Sequence, residues 1–574
     1  MAVEQLITQH IDTWTSALRT RSTAGRGTSG KIDLYGIKKL RELILELAVH
    51  GKLVPQDLND EPASELLKRI AAEKAELVKQ GKIKKQKPLP EISEDDKPFE
   101  LPVGWEWVRL AEACYLEMGQ SPSSSHYNQS IVGLPFFQGK ADFGDVFPTA
   151  RYWCTLPTKL SEKNDILLSV RAPVGPTNLS PYQCCIGRGL AAIRCLNEFS
   201  HYYLLFVLRA LQSRLEKLAT GTTFSAVSKS DIEPFLIPVP SNNEQLRIVV
   251  KVNELMSLCD QLEQQSLTSL EAHSQLVETL LATLTDSKNA EELAENWARI
   301  SQHFDTLFTT EASIDALKQT ILQLAVMGKL VPQDPNDEPA SELLKRIEQE
   351  KAQLVKEGKI KKQKPLPLVC DQEMPFELPK GWEWVRLGDI GTISGGGTPS
   401  KNNEEYWSGD IPWVSPKDMK VDYISTAELN ISELAVANSS VRIIPNNSIL
   451  FVVRGMILAH TFPVAINLRE VTINQDMKSI SSHLFNMDFL LYLMKGMSHQ
   501  ILGLVDRSSH GTCKLVSEKL FSLQIPLPPL SEQGRINSRI AELVLLCDTL
   551  KARLQSAQQT QLHLADALTD AALN

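Results

Sequence analysis

The sequence predicts an α+β protein in which two α/β domains are separated by long antiparallel coiled-coil helices, the whole forming an internal pseudo-two-fold repeat. Three observations carry this. Residues 37–112 align without a gap on residues 314–389, an offset of 277, with 54 of 76 positions identical. A second pair of matching blocks, at an offset of 288, opens two apolar series spaced 4-3-4-3, the seam of a helix that packs on another helix. Between the paired blocks lie two stretches rich in Ile, Val, Thr, Tyr and Phe in short runs broken by Gly, Pro and Asn, the pattern of strands. A period this long is a duplicated module, not a solenoid.

Residues 1–36 read as a short helix and a flexible tail: Arg19, Arg21 and Arg26 stand among Ser, Thr and Gly, with Glu4 and Asp12 and no continuous apolar core. Residues 37–104 are the first copy of a helical region, with Ile37, Leu40, Ile44 and Leu47 on one face and Gly51 as a C-cap residue. The second copy, 314–380, repeats this with Ile314, Leu317, Ile321, Leu324 and Gly328. The next helix starts after Asn59-Asp-Glu-Pro62, with Pro in its first turn, and ends at Gly81; its copy ends at Gly358. The basic runs 82–87 and 359–364 read as solvated linkers, with a phosphate or partner contact as the alternative.

The inserts occupy 105–241 and 381–531. Ile166-Leu-Leu-Ser-Val170, Ile449-Leu-Phe-Val-Val-Arg454 and Phe235-Leu-Ile-Pro-Val-Pro240 read as strands, and 202–219 and 489–504 as helical patches. The two inserts align only in patches, such as Gly221-Thr222 with Gly511-Thr512. A central coiled-coil region, 242–313, carries Ile248, Val252, Leu255, Cys259 and Leu262 and runs on through Leu284. The C-terminal helix, 532–574, carries Ile536, Ile540, Leu543, Cys547, Leu550 and Leu554 in the same register. From these seams Ile248, Val252, Leu255, Leu262, Ile536, Ile540, Leu543 and Leu550 are expected to form a frame on which partners dock.

Of the 574 residues, 43% are hydrophobic and 22% charged, which fits packed domains and not disorder. No apolar run approaches the ~20 residues of a membrane span, so a cytoplasmic chain with no membrane partner is expected. The nine cysteines form no C-x-x-C pair and are expected as free thiols. The net charge of −9 argues against a nucleic-acid binder that works alone, because phosphate contacts supply most non-specific affinity. The inserts themselves are nearly neutral, +1 for residues 105–240 and −2 for 381–530.

Catalytic patterns are incomplete. Gly119-Gln-Ser121-Pro-Ser123 lacks the second Gly of a nucleophile elbow. Asp410 with Asp418-Met-Lys420, and Asp476-Met-Lys478, resemble a nuclease metal site but have no counterpart in the first insert. Gly395-Gly-Gly397 is not followed by Gly-Lys-Ser/Thr, and no His/Cys cluster has zinc spacing. The inserts instead carry polar and basic residues beside Gly on loops. In the first these are Gln120, Ser121, Gln138, Lys140, Arg171 and Arg188. In the second they are Thr398, Ser400, Lys417, Asp418, Arg454, Gln475 and Lys478. Such side chains suit hydrogen bonds to base edges and phosphates, so these are the candidate DNA contacts.

The layout resembles the specificity subunits of type I restriction-modification systems. The resemblance rests on Gly51-Lys-Leu-Val-Pro-Gln-Asp57 with Glu61-Pro-Ala-Ser-Glu-Leu-Leu67, the Gly104-Trp-Glu-Trp-Val-Arg-Leu110 segment, the Gly395-Gly-Gly-Thr-Pro-Ser400 loop, Ile411-Pro-Trp-Val-Ser-Pro-Lys-Asp418, and Ile525-Pro-Leu-Pro-Pro-Leu-Ser-Glu-Gln533. It covers the chain from Ile37 onward. The first insert departs from the pattern: it ends Val239-Pro-Ser-Asn-Asn-Glu-Gln245 and lacks the triple Gly, which bears on its individual contacts. The resemblance implies that each insert is a target-recognition domain reading one half of a split double-stranded DNA site. It implies a frame that fixes the gap and docks two methyltransferase subunits and, through them, two motor-nuclease subunits. No cofactor is then expected on this chain, S-adenosylmethionine, ATP and Mg²⁺ falling to the partners. The rival readings are a self-sufficient Mg²⁺-dependent endonuclease and a coiled-coil assembly scaffold.

Overall fold

The computed structural model describes residues 3–21, 31–85, 88–219, 226–358, 360, 366–367, 369–370, 373–507 and 512–573. The chain divides into two compact units: Met1–Arg19, Ile32–Thr268 and Gln558–Asn574 make one, and Thr20–Lys31 with Ser269–Ala557 the other. The two have the same parts.

In the first unit the helix Tyr35–Val49 buries Ile37, Leu40, Ile44 and Leu47. It stops because Gly51 takes a left-handed φ of +67°, and a Cβ there would lie 2.4 Å from Pro102 Cγ. In the second unit Glu311–Val326 and Gly328, at φ +68°, repeat this end. The following helices, Ala63–Lys79 and Ala340–Lys356, begin after Pro62 and Pro339. Those prolines are extended N-caps and do not lie in the first turn: the Ala63 N–H donates to the Gly104 carbonyl at 3.0 Å, and Ala340 to Gly381 at 2.9 Å.

Two long helices follow the heads, Asn242–Asp286 and Leu530–Leu573. The first begins in the first unit and ends in the second, and the other does the reverse. In the second unit the helix 530–573 runs antiparallel to Glu311–Val326, since Gln555 bonds Glu311, Lys551 bonds Asp315 and Lys318 bonds Asp548. In the first, Arg41 of the short helix holds Asp260 and Glu263 at 2.6 and 2.7 Å.

These contacts correct the assignment of the seam. Ile248, Val252, Leu255 and Leu262 are buried inside the chain, as are Ile536 and Ile540. Leu543 and Leu550 pack with Cys547 against Ile314, Leu317 and Leu324. Six of the eight seam residues therefore close on this protein's own helices, while Leu543 and Leu550 stay half-buried. The central region is also not one coiled coil: Ala290–Gln302 and Phe304–Leu307 fold back beneath the same cluster through Ile300 and Leu307.

At the N-terminus two short helices, Val3–Gln9 and Ile11–Ser16, replace the single helix expected. Trp14 is fully buried, and Gly36 lets its carbonyl approach; a Cβ at 36 would lie 2.3 Å from it. The tail residues 22–30 lie outside the described residues, as do 86–87 and most of 359–364 in the basic runs. No disulfide forms among the described residues. No helix among them is long and apolar enough to cross a membrane.

Each head is built on a pair of sheets flanked by two helices, and the second adds the two-stranded sheet of Val505–Arg507 with Cys513–Leu515. In the first, strands 177–179, 166–169, 190–195 and 114–118 form one sheet in that order, and 127–128, 152–154, 134–137, 184–186 and 160–161 the other. In the second, the orders are 392–395, 477–481, 449–452, 464–467, 423–424 and 429–431, 411–414, 472–473. The second sheet of each contains one parallel pair, Phe136 and Phe137 beside Cys185 and Ile186, matched by Trp413 and Val414 beside Thr472 and Ile473. The helical patches each break in two, His201–Ala210 with Gln212–Lys217 and Met487–Gly496 with Ser498–Gly503.

Candidate nucleic-acid interface

Each head is held at a neck built from the repeated sequence blocks. Glu106–Arg109 pairs antiparallel with Leu236–Val239, and Glu383–Arg386 with Gln524–Leu527, so the strands that lead into and out of a head are zipped together. The buried Arg109 donates to the carbonyls of Pro90, Pro234 and Glu91 at 2.8–3.1 Å. Arg386 donates to Pro367, Ser522 and the Glu373 carboxylate at 2.6–3.0 Å. The first turn of each long helix closes the joint. The Trp105 indole donates to Glu244 at 2.9 Å and Trp382 to Glu532 at 3.0 Å; Gln56 and Gln333 bond the same carboxylates. Gln245 accepts from the Ser200 N–H, and Gln533 from Asn486, tying the long helix to the start of the head's own helix.

Beyond the neck, the candidate residues of the first head gather at one set of strand ends. The Gly119 and Gln120 N–H groups donate to Leu190 and Ile186, laying the 119–121 loop against the 187–189 turn. Ser121 Oγ accepts from the Arg188 N–H at 3.2 Å. The Gly187 N–H donates to Phe137, which brings Gln138 and Lys140 alongside, and Val170 donates to Gly189, which brings Arg171. Gln120, Ser121, Gln138, Lys140, Arg171 and Arg188 are all exposed there.

The second head repeats this geometry in a different sequence. Gly396 and Gly397 donate to Met477 and Ile473, Asn474 donates to Val414, and Val453 donates to Asp476. Gly119–Ser121 thus corresponds to Gly396–Thr398, Arg171 to Arg454, Lys140 to Lys417, and Arg188 to Gln475. Ser400, Lys417, Arg454 and Gln475 are exposed. Thr398 donates its hydroxyl to Gln475 Oε1. Arg454 lies 3.7 Å from Asp476.

Two candidates are placed otherwise. The Asp418 carboxylate accepts from Ser415 N, Ser415 Oγ and Glu428 N, each at 2.8 Å, so it shapes its loop and is not presented to a base. This also removes the central ligand of the nuclease-like pattern; among the described residues no group of three or more His, Cys, Asp or Glu is placed to hold a metal ion. Lys478 lies on a strand, with its ammonium 5.6 Å from the Phe521 ring centre, and burial pushes its pKa down.

The sequence matches the family of type I restriction modification DNA specificity domains over residues 102–272 and 379–559, one span for each head with its long helix. It is 50% identical, over the full length of both chains, to the type I restriction enzyme EcoAI specificity subunit of Escherichia coli. It is equally similar to the EcoEI specificity subunit of the same organism. The chain belongs to the type I restriction-modification specificity family. Among solved structures, the HsdS subunit of Thermoanaerobacter tengcongensis is 34% identical over 44% of this chain, with a TM-score of 0.27; the aligned part spans 62% of that chain.

Two further residues of these loops were passed over by sequence reading. Asp142 accepts from the Gln138 N–H at 2.8 Å and so does in the first head what Asp418 does in the second. The shared signal, Lys followed by Asp, is masked by one extra residue. Lys514 is bridged to Arg454 in the second head as Ala226 is to Arg171 in the first. Gly221, Thr222 and Gly511, the aligned patch just before these bridges, lie outside the described residues.

Proposed function

We propose that each head reads one half of a bipartite double-stranded DNA site, and that the helices shared between the units set the spacing of the halves. The observation that carries this is the recurrence, in two diverged sequences, of the same exposed polar loop set at the same strand ends. A repeated frame presents two equivalent surfaces, so two modification subunits dock on it, on faces other than the buried seam, and restriction subunits join through them. The chemistry, with its S-adenosylmethionine, ATP and Mg²⁺, belongs to those subunits. Exchanging residues 386–524 for the matching domain of a relative tests the reading. Methylation mapping of the assembled complex is expected to show one half-site changed and the other kept. A change in both halves, or in neither, overturns it. Cleavage of plasmid by the purified chain with Mg²⁺ alone would favour the endonuclease rival.

A further inference from the structure

Two turns occupy the same position in the two heads and differ at their tips. In the first, Gly187-Arg188-Gly189 joins the strands Cys184–Ile186 and Leu190–Cys195. In the second, Asn474-Gln475-Asp476 joins Thr472–Ile473 and Met477–Ser481. The Leu190 N–H closes the first turn on Gly187 at 3.0 Å, and Met477 closes the second on Asn474 at 3.2 Å. A neighbouring glycine pins each: a Cβ on Gly119 would lie 2.2 Å from the Gly187 carbonyl oxygen, and one on Gly396 would lie 1.8 Å from that of Asn474. The backbone of the tip is thus fixed in both heads while its side chain is exposed.

The residues around the tip divide into those that are the same in both heads and those that are not. Arg171 and Arg454 are the same, as are Lys140 and Lys417. What both half-sites share is the phosphate backbone, and identical cations suit it. What differs between half-sites is the bases, and the tip differs: arginine in one head, glutamine in the other. Arginine matches the paired acceptors of guanine, and glutamine the acceptor and donor of adenine. In the second head Thr398 donates to Gln475 Oε1, orienting the amide and leaving that oxygen a second lone pair for an adenine amino group.

We propose that Arg188 and Gln475 are equivalent specificity-determining residues, Arg188 reading a guanine in one half-site and Gln475 an adenine in the other. This rests on the reading of the heads as DNA readers. The test uses the full chain assembled with its modification subunit, with methylated sites mapped across a genome. R188Q is expected to replace one guanine of one half-site by adenine, with methylation of the original site falling about ten- to a hundredfold. Q475R is expected to do the converse in the other half. R188K keeps the charge but loses the two-pronged fork, so it is expected to retain salt-dependent binding of random-sequence DNA while accepting any base at that position. An unchanged motif in R188Q, a change in both halves, or full discrimination in R188K overturns the assignment while leaving the DNA-reading heads intact. Methylation by the wild-type complex without any bipartite motif would instead overturn the underlying reading.

Discussion

Glu244 receives the Trp105 indole on one oxygen and Gln56 on the other, at the point where the first head meets its long helix. Burial raises its pKa above the ordinary 4.5, and the two hydrogen bonds with the nearby Arg247 offset this only in part. The folded chain therefore keeps a proton at Glu244 at pH values where the unfolded chain has lost it. In that window, which begins near 4.5 and extends up to the raised folded value, the folded state binds more protons, so stability falls as pH rises. Below the window both states are protonated and above it both are ionised, so the contribution is flat on either side. E244Q keeps the shape and the acceptor for Trp105 but cannot titrate. Calorimetry of the two proteins from pH 4.5 to 7 is expected to show the wild type losing stability relative to E244Q as pH rises, every other group cancelling in the difference. A difference that does not change with pH would refute the role given to this carboxyl. Glu532 repeats the arrangement with Trp382 and Gln333 and is raised for the same reason, so E532Q supplies a second reading.

The helices were legible from the sequence because their determinants are local: apolar residues three and four apart, and a glycine able to take positive φ at the end, as at Gly51 and Gly328. The residue-by-residue correspondence of the two heads was not, because it lives in pairings across long sequence distances. Gly119 meets Leu190, and Gly396 meets Met477, through backbone groups, and the glycine each approach requires does not name the partner it meets. Periodicity likewise shows that the face bearing Ile248 and Ile536 is packed, but not whether its cover is a partner or the chain itself. The candidate loops were found by composition alone, which could not separate an exposed Gln475 from an Asp418 whose oxygens are already engaged. The close approach of the loop and the tip turn makes one element-level test possible. In G396A the new methyl would meet the carbonyl oxygens of Asn474 and Ile473, backbone atoms that can move only with the sheet. Overpacking of this kind costs about 1–3 kcal/mol. Thermal unfolding is expected to show a destabilised second head, and methylation mapping a relaxed second half-site beside an unaltered first. Relaxation of both halves would mean that the turn does not act within one head.

At the scale of the molecule, the buried residues of each long helix fall in two groups with a gap between them. On the first helix they run from Glu244 to Leu262 and resume at Val277; on the second they run from Glu532 to Cys547 and resume at Leu562. The 14 residues in each gap, 263–276 and 548–561, include none that is buried, and the boundary between the units falls inside both. A heptad taken from 264–270 on the first helix and from 555–561 on the second leaves in place Leu550 and Leu554, which pack on the second unit's helical cluster. Removing one heptad from both takes out about 10 Å of helix, close to the rise of three base pairs, and returns the seam to nearly the same face. The expected outcome is a recognised site whose two halves keep their sequences while the spacer between them shrinks by roughly three base pairs. Removing five residues from both gaps instead turns each later segment by about 140°. The two groups of buried residues then no longer face their partners together, and site-specific methylation is expected to be lost although each head still folds. A spacer that stayed constant through the heptad deletion would show that the helices carry the heads without measuring the distance between half-sites.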